Sequence, residues 1–170
     1  MPIANPLGSL FDIVEGFPTV DLQTADNNGD WLNLKNAEGV LIVFRSGVGT
    51  NGADPTLTLA QATAAAGTGD KALNFTTIYR KQAATSLAAV TAWTETTQTA
   101  ASTYTNTDAA EQDLIWCVWV DAADLDVAGG FDHVRATVAD IGGSAQPGDL
   151  LYIVIPKYRN NPENAVSYVD

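Results

Sequence analysis

The sequence has little of the side-chain chemistry on which most enzymes depend. Its 170 residues include one histidine, His133, one cysteine, Cys117, and one methionine. These counts exclude a site of several histidines and a disulfide framework within the chain. A dyad of Cys117 and His133 would place a thiolate in a very apolar run, which works against a low thiol pKa. We therefore predict that the chain is not an enzyme and that Cys117 is a buried hydrophobic residue.

Basic residues and long apolar runs are also scarce. Eight Lys and Arg against 20 Asp and Glu give a net charge of -12, which would repel a nucleic-acid backbone. No apolar run approaches the roughly 20 residues that cross a bilayer, and the first 18 residues lack the basic start of a signal peptide. We expect a protein synthesised in a cytoplasm, with neither a nucleic-acid nor a membrane partner.

Short segments with the pattern of β-strands make up most of the chain. Segment 56–61 alternates with period two and places Leu57, Leu59 and Gln61 on one face. Gly, Asn, Asp and Pro separate about eight to ten such segments, with no long amphipathic helix between them. The spacing predicts an all-β fold, an antiparallel β-sandwich of jelly-roll type.

Three regions follow from this pattern. Prolines at positions 2, 6 and 18 favour extended backbone, so residues 1–18 are predicted to form an extended N-terminal arm. Residues 19–156 form the sandwich domain, and Pro156 ends its last strand. Residues 157–170 are predicted to form an exposed C-terminal tail.

Three of the predicted strands are apolar at odd and even positions alike. They are 40–44, 113–120 and 150–155. In a two-layer sandwich only alternate side chains face the core, so the outer face of these strands needs a cover. Trp116 and Trp119 lie on opposite faces of one such strand. We expect a neighbouring subunit or a larger assembly to supply the cover.

Motifs for ligand binding are present but have simpler interpretations. Segment 47–52 spells G-x-G-x-x-G, yet it leads into a strand rather than into the helix that a dinucleotide site requires. Acidic residues in 121–132 offer oxygen ligands for Ca²⁺, although capping of turns is favoured because it needs no ion. The acidic turn 26–30 is interpreted as a hairpin. No cofactor and no metal site are predicted.

Three segments together carry a resemblance to a known group of proteins. Segments 22–36, 57–82 and 113–142 resemble small structural proteins of tailed bacteriophages and prophages. The resemblance implies a capsid decoration, or cement, protein on the outer surface of the head, with the major capsid protein as its partner. It also implies a homo-oligomer, with a trimer favoured.

Within this interpretation, two sets of residues are candidates for contacts. Attachment to the capsid is assigned to apolar residues of the N-terminal region, Leu7, Leu10, Phe11 and Phe17. Self-association is assigned to one face of the most apolar strand, Ile115, Cys117 and Trp119.

A tail, head-completion or baseplate protein is the alternative within virions. A carbohydrate-binding module, using exposed Trp31 or Trp93, is the alternative from another class.

Overall fold

The structure, a computed structural model, describes residues 6–107, 112–143, 145–158 and 168–169. These residues form β-strands joined by loops and three short 3-10 turns. The strands are β1 (Asp12–Asp21), β2 (Asn27–Asn28), β3 (Leu32–Asn33), β4 (Ala37–Ser46), β5 (Thr56–Ala62), β6 (Lys71–Ala72), β7 (Phe75–Ala83), β8 (Thr94–Ala101), β9 (Thr103–Thr105), β10 (Asp113–Asp121), β11 (His133–Val138) and β12 (Pro147–Pro156).

The strands form two sheets, and every pairing between them is antiparallel. Sheet I has the order β1-β12-β4-β10-β7-β8. Sheet II has the order β2-β11-β5-β6, with β3 also pairing with β11 and β9 with β5. The two sheets pack face to face, so the predicted all-β antiparallel sandwich is confirmed. The more specific jelly-roll assignment stays a prediction.

The hydrophobic core lies between the two sheets. Trp116 of sheet I is fully buried and meets Tyr104 of sheet II edge to face, with the ring centroids 4.9 Å apart. Tyr152 of sheet I links the layers through its hydroxyl, which accepts a hydrogen bond from the Ala136 amide and donates one to the Asp30 carbonyl, both at 3.1 Å. Burial raises the pKa of Tyr152. These contacts fix the spacing and register of one layer over the other.

The predicted N-terminal arm is wrong for its second half. Residues 12–18 belong to β1, which pairs with β12 at an edge of sheet I. Pro18 is tolerated there because an edge strand does not use every backbone donor. The register of β1 shifts twice, once around Gly16 and once around Pro18, so the alternation that marks a strand is interrupted in the sequence.

The acidic turn 26–30 does not join two strands of a hairpin, which corrects that prediction. Asn28 within this segment and Leu32 just after it both pair with β11 of sheet II. The Asp26 carboxylate accepts a hydrogen bond from the Asp140 amide at 3.0 Å. The turn therefore ties the loop after β11 to the chain that crosses from sheet I to sheet II.

The C-terminal boundary is also corrected in part. Strand β12 ends at Pro156, as the sequence predicted. Tyr168, however, is buried, and its carbonyl accepts a hydrogen bond from the Asn33 amide at 2.8 Å. The tail predicted to be exposed thus returns to the sandwich at this residue, and 159–167 lie outside the described residues.

Candidate interaction surface

The outer face of sheet I carries side chains that usually lie in a core. In β4, β10 and β12 alternate residues enter the core, and the residues between them point away from sheet II. Most of these outward residues are aliphatic or aromatic. We call the following set the apolar patch: Ile13, Leu41, Val43, Tyr79, Ile115, Cys117, Trp119, Leu151 and Ile153.

The strand register makes the patch continuous. Trp119 lies opposite Leu41, which lies opposite Ile153, which lies opposite Ile13, so one apolar row crosses four strands. A second row runs beside it and consists of Leu151, Val43, Cys117 and Tyr79. Facing side chains on neighbouring strands are close enough to touch. The patch is therefore one surface rather than a set of scattered residues.

The three residues predicted to mediate self-association all face outward from β10. Trp119 is 42% exposed, Ile115 is half-buried and Cys117 is buried by its neighbours in the patch. Burial raises the pKa of the Cys117 thiol from its ordinary 9.0 to about 11, so it is a poor nucleophile near neutral pH. The structure thus brings the three together on one face, with Trp119 as the most accessible.

Gly39 in β4 makes room for the Trp119 ring. A Cβ at this position would lie 2.5 Å from Cζ2 of Trp119 and 2.5 Å from the carbonyl oxygen of Val120. Gly39 lies before the predicted strand 40–44, whereas β4 begins at Ala37 and continues through Gly39. A glycine inside a strand is typical where another group approaches the backbone closely.

Charged residues of both signs border the patch. Arg45 forms an ion pair with Asp149, with Nη2 and Oδ2 2.6 Å apart. Asp149 also accepts a hydrogen bond from the Thr19 hydroxyl at 3.2 Å. Lys81 lies over the exposed ring of Trp93, with Nζ 4.9 Å from its centroid. A depression of about 470 Å³ lies among Glu15, Phe17, Thr19, Val43, Arg45, Ile115, Asp149 and Leu151. The patch therefore has an apolar centre and a polar rim, the usual composition of a protein interface.

A second depression opens at the other end of the patch. The pairing of β10 with β7 stops at Cys117 and Tyr79, and the two strands diverge beyond that pair. The cleft between them has a volume of about 410 Å³, and its lining includes Tyr79, Trp119, Asn74, Thr77 and Asp124. The patch thus continues into a cleft with polar walls.

The four residues predicted to attach to a capsid do not share one environment. Leu7 and Leu10 are exposed in a tight turn, where the Pro6 carbonyl accepts a hydrogen bond from the Leu10 amide at 2.7 Å. Phe11 is half-buried at the end of this turn. Phe17 is only 5% exposed, so its assignment to an exposed arm is wrong. Its side chain belongs to the buried residues of strand β1.

His133 and Cys117 lie in different sheets, β11 of sheet II and β10 of sheet I. The His133 ring is buried, and its Nδ1 lies 2.6 Å from Oδ1 of Asp132. The structure therefore does not bring the two residues of the rejected dyad together. His133 is paired with its own sequence neighbour.

The acidic loop residues cap turns, as their positions in the sequence favoured. The Asp121 carboxylate accepts a hydrogen bond from the Ala123 amide at 2.8 Å. The Asp124 carboxylate accepts one from the Asp121 amide at 3.0 Å. Asp126 caps the next 3-10 turn by accepting from the Gly129 amide, and it forms an ion pair with Lys71 at 2.5 Å. Within the described ranges, no group of three or more His, Cys, Asp or Glu is arranged to hold a metal ion.

The two tryptophans named for carbohydrate binding differ in accessibility. Trp31 is buried, and the Arg135 guanidinium lies 4.5 Å from its ring centroid. Trp93 is 47% exposed. The glycine-rich loop 47–52 leads into strand β5, so the helix needed for dinucleotide binding does not follow it.

Six members of the apolar patch were not named as site residues from the sequence. They are Ile13, Leu41, Val43, Tyr79, Leu151 and Ile153. The signal that could have found most of them is the doubly apolar pattern of the strands. The pattern does not state which strands lie side by side, and that information is needed to assemble the rows.

Comparison of the chain with protein-family models, with curated proteins and with solved structures gave no match. None of the helical turns in the described ranges has the length and apolar character needed to cross a membrane.

Proposed function

We propose that this chain is a structural protein of a tailed-phage virion, a decoration protein that binds the outside of the head and stabilises contacts between capsomers. The observation that carries the proposal is the apolar patch on sheet I. A sandwich that works alone has no use for two rows of aliphatic and aromatic side chains on an outer face. The resemblance of segments 22–36, 57–82 and 113–142 to phage structural proteins supports a virion as the setting.

The proposed mechanism is the addition of interface area, and no reaction is assigned to the chain. Apolar surface removed from water contributes roughly 25 cal/mol per Å², so even a modest contact adds several kcal/mol before the cost of ordering. Repeated over a lattice, such contacts oppose the outward pressure of packaged DNA. The net charge of -12 suits the remaining surface to water and keeps it away from nucleic acid.

The turn at residues 6–11 is proposed as the attachment point to the major capsid protein. Leu7 and Leu10 remain candidates because both are exposed at the N-terminal edge of sheet I, and Phe11 adjoins them. Phe17 is withdrawn from this set because it is buried. A homo-oligomer on the outer surface of the head, with the trimer favoured by the resemblance, completes the proposal.

Addition of the purified chain to undecorated phage heads tests the proposal. We expect the chain to sediment with the heads in a fixed ratio to the capsid subunit and to raise the temperature at which heads release DNA. The Leu7→Ser/Leu10→Ser variant should bind far less. Val127→Ser is the matched control, since Val127 is 65% exposed on a turn that belongs to neither candidate surface.

Three results would contradict the proposal, one from this experiment and two from parallel binding assays with tails or baseplates and with glycans. Heads that bind none of the wild-type chain would remove the decoration function. Binding to tails or baseplates in the ratio of a sixfold or twelvefold ring would favour the alternative virion location. Saturable binding of a glycan that Trp93→Ala abolishes would favour the carbohydrate-binding alternative instead.

A further inference from the structure

We propose that a second copy of this chain covers the apolar patch, with sheet I packed on sheet I about a two-fold axis. The inference rests on the proposed function in one respect, that the chain acts through its interfaces. It goes further by naming the occupant of the patch and the geometry of the contact. Sheets pack face to face about 10 Å apart when apolar side chains of both interdigitate.

The size of the face fits such a contact. Sheet I has six strands, and its longest strands have ten residues. At about 4.8 Å between strands and about 3.3 Å per residue, the face measures about 29 by 33 Å, or about 950 Å². A stable pair of proteins buries about 800 Å² on each partner. One copy of the face therefore provides the area that a dimer needs.

The charges around the patch also suit a second copy. Arg45 and Lys81 lie on the same outer face as Glu15 and Asp149. In a two-fold contact the charged border of one copy faces the charged border of the other. Basic side chains of one copy can then pair with acidic side chains of the other. The chain as a whole carries a net charge of -12, which opposes contact between copies through its other, more acidic surfaces.

The geometry favours two copies over the three that the resemblance implies. A face that packs on its own equivalent closes after two copies, whereas a threefold ring needs two different surfaces that complement each other. In the described part of the chain, sheet II offers no comparable partner surface, because its outer residues on β5 and β9 are mainly threonine. The dimer is therefore the expected unit.

Sedimentation velocity of the full chain over a wide concentration range tests the inference. We expect the wild-type mass to rise from 17.9 kDa toward twice that value. Leu151→Glu places a charge at the β12 end of the second apolar row and should weaken the dimer more than about a hundredfold, because each copy would bury an unpaired carboxylate in the contact. Thr103→Glu is the control, since it adds the same charge to the outer face of sheet II and should leave the dimer intact.

Two further variants separate loss of the contact from loss of the fold. Ile13→Glu alters an edge-strand residue that is 51% exposed, and it should also give a monomer with an unchanged β-sheet circular dichroism spectrum. A mixture of Leu151→Glu and Leu151→Lys chains should recover dimers that neither chain forms alone. Recovery of this kind requires that a copy of the same face be the partner.

The inference and the proposed function fail in different ways. A wild-type chain that stays monomeric at every concentration, a trimeric mass, or a Leu151→Glu chain that still dimerises would overturn the two-fold dimer. A dimer that binds no heads would keep this inference and remove the decoration function. A monomer that binds heads and loses binding on Leu151→Glu substitution would make the capsid subunit the occupant of the patch.

Discussion

Sheet I and sheet II bury similar inner faces, and their outer faces are built from different residues. On sheet II the outward positions of β5 and β9 are mainly threonines, and the hydroxyls of Thr56 and Thr105 lie 2.6 Å apart. Beside them, the Thr137 hydroxyl donates to Asn28 at 3.2 Å. On sheet I the corresponding positions hold Leu41, Val43, Trp119 and other apolar side chains of the patch.

This difference assigns separate tasks to the two layers. The threonine face satisfies its polar groups locally and can remain in water, which is the usual state of one face of an antiparallel sheet. The apolar patch gains free energy only when something removes it from water. The fold therefore needs both inner faces, whereas the proposed assembly would use one outer face.

The largest effect is expected from two tryptophans on one strand. Trp116→Ala should destabilise the monomer by about 3–5 kcal/mol, because its ring is fully buried against Phe44 and Tyr104. Trp119→Ala, on the outer face, should cost less than about 1 kcal/mol in the monomer and should weaken self-association strongly. Urea unfolding at low protein concentration measures the first effect, and sedimentation the second. Equal losses of monomer stability would contradict the division.

A medium effect is expected at the hydrogen bonds that link the two sheets. Tyr152→Phe removes the hydroxyl that bridges the Ala136 amide and the Asp30 carbonyl, leaving the buried amide and the partly buried carbonyl without this partner. We expect a loss of about 1–3 kcal/mol in the free energy of unfolding. The dimer constant should not change, since Tyr152 points away from the patch. If Tyr152→Phe left the free energy of unfolding unchanged, water or a shifted backbone would have to replace both hydrogen bonds.

The pH dependence of Cys117 tests how well its neighbours in the patch cover it. The thiol pKa is raised to about 11 by burial, above its ordinary 9.0, so the fold favours the neutral thiol. Its contribution to stability is complete below pH 9 and declines as pH rises through about 11. Cys117→Ser should reduce the loss of stability in that range.

The rate of alkylation is an independent measure of how accessible the same thiol is. Iodoacetamide should modify native Cys117 much more slowly at pH 9 than it modifies the unfolded chain, because the native thiol is both covered and mainly protonated. Dimer formation should slow the reaction further. A native rate equal to the unfolded rate would show that the patch leaves the thiol open.

The smallest effect is expected from two ion pairs, one on each sheet. Arg45→Ala breaks the pair with Asp149 beside the patch, and Lys71→Ala breaks the pair with Asp126 near sheet II. Both pairs are at least partly exposed, so each change should alter monomer stability by no more than about 1 kcal/mol. Only Arg45→Ala should change the dimer constant and its dependence on salt. If both variants changed it equally, the charged rim of sheet I would have no special part in the contact.

The layered architecture could be predicted from local patterns. The alternation in 56–61 marks β5, and the opposite directions of Trp116 and Trp119 follow from the period of two along β10. Asp121 and Asp126 act as caps, which their spacing before short turns favours. The doubly apolar strands predicted an outer face in need of a cover. Each of these conclusions depends on residues close together in the sequence.

The errors come from contacts between distant residues. Residues 12–18 form a strand only because β12 offers it a partner, and two register shifts hide its alternation. Trp31 is covered by Arg135 and by the loop at Gly67, and no local pattern indicates either contact. Tyr168 is buried although the residues before it have the composition of an exposed tail. The full patch likewise needed the strand order, which local sequence does not contain.

Oxidative footprinting with hydroxyl radicals tests the central claim, that an assembly covers the outer face of sheet I. The chain would be labelled as a dilute monomer, at high concentration, and bound to heads, with modification measured at each side chain by mass spectrometry. We predict that Trp119 and Tyr79 become protected in the assembled states, while Tyr158, exposed elsewhere, remains reactive. Unchanged labelling of Trp119 and Tyr79 in every state would contradict the account.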